Sequence, residues 1–167
     1  MAQEEVILVN GQDEQTGVME KLEAHRRALL HRAFSVFIFN DKGQMLLQQR
    51  ALNKYHSPGL WTNACCSHPR PGEDTLAAAH RRLREEMGLD AELNSLGSFI
   101  YRAEFGNGLT EHEFDHVFSG KTERQPVINP DEVNDYSWQD TDQIKARMAS
   151  HPEEFTVWFR IAMERWF

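Results

Sequence analysis

His25, His31, His68, Cys66, Glu111 and Glu113 are the side chains whose types and spacing could do chemistry. His68 stands two residues after Cys66 in the run Trp61-Thr62-Asn63-Ala64-Cys65-Cys66-Ser67-His68, and the two glutamates flank His112. Imidazole nitrogens and carboxylate oxygens are donors that manganese, magnesium or zinc accepts. A thiol beside such an ion is better explained by proton chemistry than by packing. Singly, each feature is ordinary: His25 and His31 are six apart, not the i, i+4 pair of a helical metal site. The signal lies in the set.

Two-residue alternation over 109–118 puts Glu111, Glu113 and Asp115 on one strand face and His112, Phe114, His116 and Phe118 on the other. An acidic face on an edge strand can simply be solvated. Beside three histidines, a buried cation is the cheaper relief for the repulsion. A free cysteine is usually a small buried hydrophobe. Cys66, however, sits among Asn63, Ser67, His68, Pro69 and Pro71, which is loop chemistry. A thiol's reference pKa of ~8.5 lies near enough to neutrality for acid–base work once tuned. Trp61, Trp158 and Tyr101 could be core or site, and pattern leaves both readings open.

These residues need a scaffold, and the chain has the length for one. Its 167 residues are one domain's worth, with 40% hydrophobic content and no apolar run long enough to span a bilayer. The acidic start Met-Ala-Gln-Glu-Glu does not resemble an export signal. Adjacent Cys65 and Cys66 do not make a disulfide framework, so a reducing cytoplasm is expected. A net charge of −8 argues against nucleic acid. Any anionic substrate must then meet a local basic cluster, and Lys21, Arg50, Lys54 and Arg82 can supply one.

The pattern predicts strands at 6–9, 33–40, 44–50, 61–64, 96–105, 109–118 and 133–138. Residues 10–17 read as turn and 19–31 as irregular. The turn Asp41-Lys42-Gly43 should return 44–50 as a hairpin partner of 33–40. Residues 74–87 are the clearest helix, capped by Asp74, ended by Gly88, with Leu76, Ala79 or His80, Leu83 and Met87 as its apolar stripe. On that helix Arg81 with Glu85 and Arg82 with Glu86 are i, i+4 pairs worth only ~0.2–0.5 kcal/mol each. The alternative is a helix presenting carboxylates to magnesium on a diphosphate. Two helices close the chain, the second carrying Phe155, Trp158, Phe159, Ala162, Met163 and Trp166 at helical spacing. The order predicts a single α+β domain.

Ser67-x5-Glu73-x7-Arg81-Arg82-Leu83-x-Glu85-Glu86-x-Gly88-Leu89 resembles a Nudix box. It departs from the usual box at Ser67, where glycine is common, and at Arg82, where a glutamate is common. The second departure removes a metal ligand that hydrolases of this superfamily use. One branch, the type I isopentenyl diphosphate isomerases, has this altered box, and the chain is similar to it over nearly its whole length. The likeness runs through Lys21, His25 and His31, Arg50-Ala51-Leu52-x-Lys54, Trp-Thr-Asn-x-x-Cys-Ser-His-Pro, Tyr101-Arg102, Glu111-x-Glu113 and Trp158.

That resemblance implies a Nudix-like mixed sheet flanked by helices, with a core over roughly 30–165 of the 1–167 domain. It implies reversible conversion of isopentenyl to dimethylallyl diphosphate through a tertiary carbocation. Cys66 and Glu113 would handle the protons on opposite faces of the substrate, with Tyr101 near Glu113 and Trp158 over the cation. His25, His31, His68, Glu111 and Glu113 would hold manganese, magnesium or zinc. Glu86 would hold magnesium on the diphosphate, and Lys21, Arg50, Lys54 and Ser67 would anchor it. A small-molecule enzyme of this kind, monomeric or a weak dimer, has no need of nucleic acid or membrane. Three alternatives stand beside it: a Nudix hydrolase of nucleoside or prenyl diphosphates, a non-catalytic metal- or partner-binding module, and a redox role for the adjacent cysteines.

Overall fold

A computed structural model describes residues 4–167; the first three residues of the acidic start lie outside it. The elements are β1 (Glu5–Val9), β2 (Gln15–Glu20), α1 (Lys21–Arg26), β3 (His31–Phe39), β4 (Met45–Arg50), β5 (Trp61–Thr62) and β6 (Cys65–Ser67). They continue with α2 (Thr75–Met87), β7 (Asn94–Glu104), β8 (Thr110–Lys121), β9 (Val133–Gln139), α3 (Thr141–Ser150) and α4 (Val157–Trp166). No helix of the described residues is long and apolar enough to cross a membrane.

β3 is the strand on which the others converge. It runs parallel to β8, with His31 opposite Glu113 and Ser35 opposite Val117, and antiparallel to β6, with Ser35 opposite Cys66. Alternation on β3 divides the core. Phe34, Val36 and Ile38 pack with Ala78, Ala79, Leu83 and Met87 of α2, while Phe37 packs with Phe159, Ala162 and Met163 of α4. The mixed sheet therefore has helices on both faces and two apolar layers.

The predicted hairpin forms only at its tip. Phe39 pairs with Met45, after which β4 leaves β3 and pairs with β9 and β5. The strands splay because Cys65–Ser67 occupies the place beside β3 that a full hairpin would need. The predicted 61–64 strand is accordingly two short ones, Trp61–Thr62 and Cys65–Ser67, on different partners.

Two elements differ from the reading of residues 10–31. The turn is confined to 10–14, where Asn10 Oδ1 accepts from the backbone N–H of Gln12 and Glu14, and a strand follows at once. That strand is mostly exposed and owes its form to pairing with β1, so no apolar alternation marked it. The irregular stretch contains α1, started by Glu20, whose carboxylate accepts from the N–H of Leu22 and Glu23.

α2 has the predicted caps. Asp74 accepts from the N–H of Ala77 at 3.1 Å, and Gly88 takes the left-handed conformation at φ 63°. Its stripe holds at Ala79, Leu83 and Met87 but not at Leu76, which is 38% exposed, and it widens to Ala78 and Glu86. His80 turns outward to Asp90. Leu83→Ala should cost about 2–5 kcal/mol and Leu76→Ala no more than about 0.5 kcal/mol, read from urea melts. Equal losses would contradict this placement of the helix face.

Candidate active site

The site forms at the end of the sheet's α4 face, where the apolar layer gives way to polar side chains. Alternation along β8 buries Glu111, Glu113 and Asp115 together, as expected from the sequence. The parallel register brings His31 against Glu113, with Nε2 3.1 Å from Oε2. β6 ends at Ser67, so the next residue, His68, turns its Nε2 to the same oxygen at 2.6 Å. α1 and the turn after it, where Ala28 has φ 53°, carry His25 to within 5.0 Å of the His31 ring. Sequence spacing of six thus becomes contact through a tight turn rather than a helix face.

Hydrogen bonds fix the protons of two of these rings. His25 Nδ1 lies 2.7 Å from Lys21 O, and His31 Nδ1 lies 2.9 Å from Leu29 O. A carbonyl can only accept, so both Nδ1 atoms carry hydrogen. In the neutral rings each Nε2 then directs a lone pair inward. His31 meets a carboxylate with that lone pair, and His25 Nε2 is buried without a hydrogen bond, 3.5 Å from Glu111 Oε2. Tyr101 adds to the shortage of protons. Its one hydroxyl contacts both Glu111 and Glu113, the latter at 2.6 Å, and it has one hydrogen to give.

Acceptors facing acceptors in a buried space demand a cation, either a proton or a metal ion. The ligating atoms of His25, His31, His68 and Glu113 lie within 4.8 Å of one another, and those of His25, His56 and Glu111 form an overlapping group. This nitrogen and oxygen set fits a divalent ion. In the metal-free protein burial and Glu111 oppose ionisation of Glu113, but His68 and His31 bring its pKa down to about 2. Burial works against His25 protonation, yet Glu111 and the Lys21 carbonyl carry its pKa upward. His68 goes the other way, its pKa lowered by burial despite Glu113.

One cavity of about 130 Å³ collects most of the expected residues. Lys21, Arg50, Lys54, Ser67 and Arg82 line it together with Cys66, His68, Glu111, Glu113 and Trp158. Cys66 and Glu113 enter from strands on either side of β3. Burial pushes the Cys66 thiol up to about 12, against the pull of Arg50 and of the Trp158 Nε1–H, which donates to its sulfur at 3.2 Å. At neutral pH the thiol holds its proton while Glu113 does not.

Cys65 points elsewhere. Adjacent strand residues face opposite ways, and Cys65 lies in the α2 layer, donating to Glu86 Oε2 at 3.0 Å. The two sulfurs lie on different sheet faces and so do not face each other as a redox pair would. Glu86, expected on a separate magnesium rather than among the histidines, does not line the cavity. It is 3% exposed, with Arg82 Nη2 3.4 Å away. Asp115 accepts from Ser35 at 2.9 Å, and burial and Glu113 raise its pKa well above the carboxylate range.

Several participants had no signal in the sequence. Glu4 pairs with Lys21 at 2.5 Å, and Glu132 pairs with Lys54 and, at 3.3 Å, with Arg82. The basic wall is therefore partly neutralised by carboxylates an incoming anion must displace. Arg50 also donates to the carbonyls of His56 and Ser57 at 3.1 and 3.2 Å. His56, 3% exposed, reaches Glu111 at 2.8 Å. A single histidine in a Tyr-His-Ser-Pro loop has no periodic partner that would mark it.

Residues 29–159 match the NUDIX domain family. The chain is 56% identical over 161 residues to the isopentenyl-diphosphate Delta-isomerase of Pectobacterium atrosepticum, covering 96% of this chain and 90% of that protein. It is 49% identical over 163 residues to isopentenyl-diphosphate Delta-isomerase 2 of Aromatoleum aromaticum, covering 98% and 86%. A solved Deinococcus radiodurans protein, 22% identical, superposes with a TM-score of 0.79 over 97% of this chain and 98% of that one, which is a likeness of fold.

The raised His25 pKa sets a direction with pH. Its contribution to metal-free stability is full below the ordinary 6.5 and is lost as pH rises through the raised value. A divalent ion must expel the same proton, so binding strengthens with pH. The rise in melting temperature caused by Mn2+ should be larger at about pH 8 than at about pH 6. A flat or inverted profile would contradict the placement of His25 at the ion.

Proposed function

The chain belongs to the NUDIX family and, within it, to the isopentenyl-diphosphate Delta-isomerases, and from this we infer that Cys66 and Glu113 perform a reversible 1,3 proton shift on a five-carbon alkenyl diphosphate. The observation that carries the inference is the cavity shared by a thiol that keeps its proton and a carboxylate that has lost one. Environments that push two groups apart in this way assign them complementary acid and base roles.

Protonating the terminal CH2 of isopentenyl diphosphate makes a tertiary cation at C3, and loss of a proton from C2 gives dimethylallyl diphosphate. One proton between Cys66 and Glu113 suffices, because each turnover gives one up and takes one back. The reverse reaction starts with the proton on the other partner. Tyr101 fixes the Glu113 carboxylate, and the Trp158 Nε1–H fixes the Cys66 sulfur. The Trp158 ring offers a π face to positive charge, and the Arg50 guanidinium already lies 5.4 Å from its centroid. Glu113, Tyr101 and Trp158 are buried, and substrate filling the cavity over half-buried Cys66 would keep water from trapping the cation as an alcohol.

His25, His31, His68, Glu111 and Glu113 would hold manganese, magnesium or zinc; Glu86, which meets the cavity only through its partner Arg82, would hold magnesium against the diphosphate once the ion replaces that pairing. Such ions supply fixed positive charge that keeps Glu113 ionised and offsets the phosphate oxygens. Lys21, Arg50, Lys54 and Ser67 bind the diphosphate, arginine by its fork and the lysines as point charges. Arg82 stands where a hydrolase of this superfamily would carry a further carboxylate, and it pairs with Glu86 and Glu132, which weighs against hydrolysis. The two free cysteines suit a reducing compartment such as the cytoplasm.

Isopentenyl diphosphate incubated with the protein and Mg2+ in D2O should yield deuterated dimethylallyl diphosphate by NMR, with no phosphate released. Unchanged substrate in metal-replete protein would contradict the reading, and released phosphate would return the chain to the hydrolases. Cys66→Ala should lower kcat by at least about 10²–10⁴-fold without changing the melting temperature by more than a few degrees. Cys65→Ser, which keeps a donor to Glu86, should stay within about tenfold of the parent rate. A severe loss from Cys65→Ser would revive a redox role.

A further inference from the structure

His56 is a buried histidine that the proton pair does not use, and it touches the carboxylate of Glu111 directly. Its Nε2 lies 2.8 Å from Glu111 Oε2. Its Nδ1 lies 3.2 Å from the Ser57 hydroxyl, a group able to donate. With Nδ1 accepting, Nε2 carries the hydrogen. Among the described residues, Glu111 Oε2 is otherwise approached only by His25 Nε2 at 3.5 Å, which presents a lone pair. We propose that His56 is a positioning residue: its Nε2–H holds the Glu111 carboxylate in the orientation that lets its oxygens serve the ion among the histidines.

The loop is built to hold that ring. Ser57 sits at φ 49°, a left-handed conformation that costs free energy in a non-glycine residue and persists only where neighbours enforce it. Arg50 grips the carbonyls of His56 and Ser57, and Asn107 Nδ2 donates to Tyr55 O at 3.1 Å. The imidazole lies flat on Phe105, with centroids 4.5 Å apart and planes 2° from parallel, and meets Trp158 edge-on at 5.8 Å. Strain, grip and stacking leave the ring one orientation. Outer partners usually orient metal-bound histidines through a carboxylate. Here the order is reversed, with a histidine orienting a carboxylate.

This proposal rests on the metal site of the isomerase reading, and two substitutions separate its parts. His56→Gln keeps an N–H donor and loses the aromatic stack, whereas His56→Phe keeps the stack and loses the donor. Mn2+ affinity, measured by chelator competition on the full chain, should fall about 10–100-fold in His56→Phe and only a few-fold in His56→Gln. The opposite ranking would make His56 a packing residue, and equal losses or no losses would also overturn the proposal. A 15N-histidine NMR spectrum of the parent protein with Zn2+ or Mg2+ bound needs no variant to fold. It should show Nε2 of His56 bearing a proton; an unprotonated Nε2 would mean that His56 is itself a ligand and would overturn the donor role. Failure of the parent protein to bind any divalent ion would sink the isomerase-site reading and this proposal together, whereas normal parent binding with the wrong variant ranking sinks only the latter.

Discussion

Acceptors that face one another without protons to share are the constraint on which this structure depends. Nε2 of His31 turns a lone pair on Glu113 Oε2, Nε2 of His25 has no hydrogen bond, and one tyrosine hydroxyl serves two carboxylates. Burying such groups uncompensated would cost several kcal/mol each. A divalent ion would turn the same arrangement from a liability into a ligand field. The parallel β3–β8 register, the tight turn before His31 and the early end of β6 all deliver donors to this one place.

The sheet separates the site's tasks by face. Alternation along Cys65–Ser67 sends Cys66 into the cavity and Cys65 to Glu86 under α2. Cys66, Glu113 and the histidine cluster share the α4 side, while the box helix keeps its buried glutamate on the other. Arg82 joins the two, lining the cavity while pairing with Glu86 and Glu132. A change on either face is therefore felt electrostatically on the other.

Much of this was legible in the sequence where a local rule governs the outcome. Period-2 alternation gave the buried faces of β8, and Asp74 and Gly88 bounded α2, whereas Cys66, read as a loop residue, stands on strand β6 beside β3. What was not legible depends on partners distant in the chain. β2 is polar and forms because β1 pairs with it, and β4 leaves β3 because β6 takes the place beside it. Leu76 was misplaced because spacing gives the phase of the stripe, borne out at Ala79, Leu83 and Met87, but not how far toward the helix start the sheet beneath it reaches. His56, Glu4 and Glu132 reach the cavity from loops or strand edges, where spacing carries no information about direction.

The measurement that tests the account most directly is an anomalous difference map from crystals of the protein loaded with Mn2+. The account predicts a peak bonded by Nε2 of His25, His31 and His68 and by oxygens of Glu111 and Glu113. Crystals that convert substrate with no peak there, and with Glu113 hydrogen-bonded directly to His31 and His68, would contradict it.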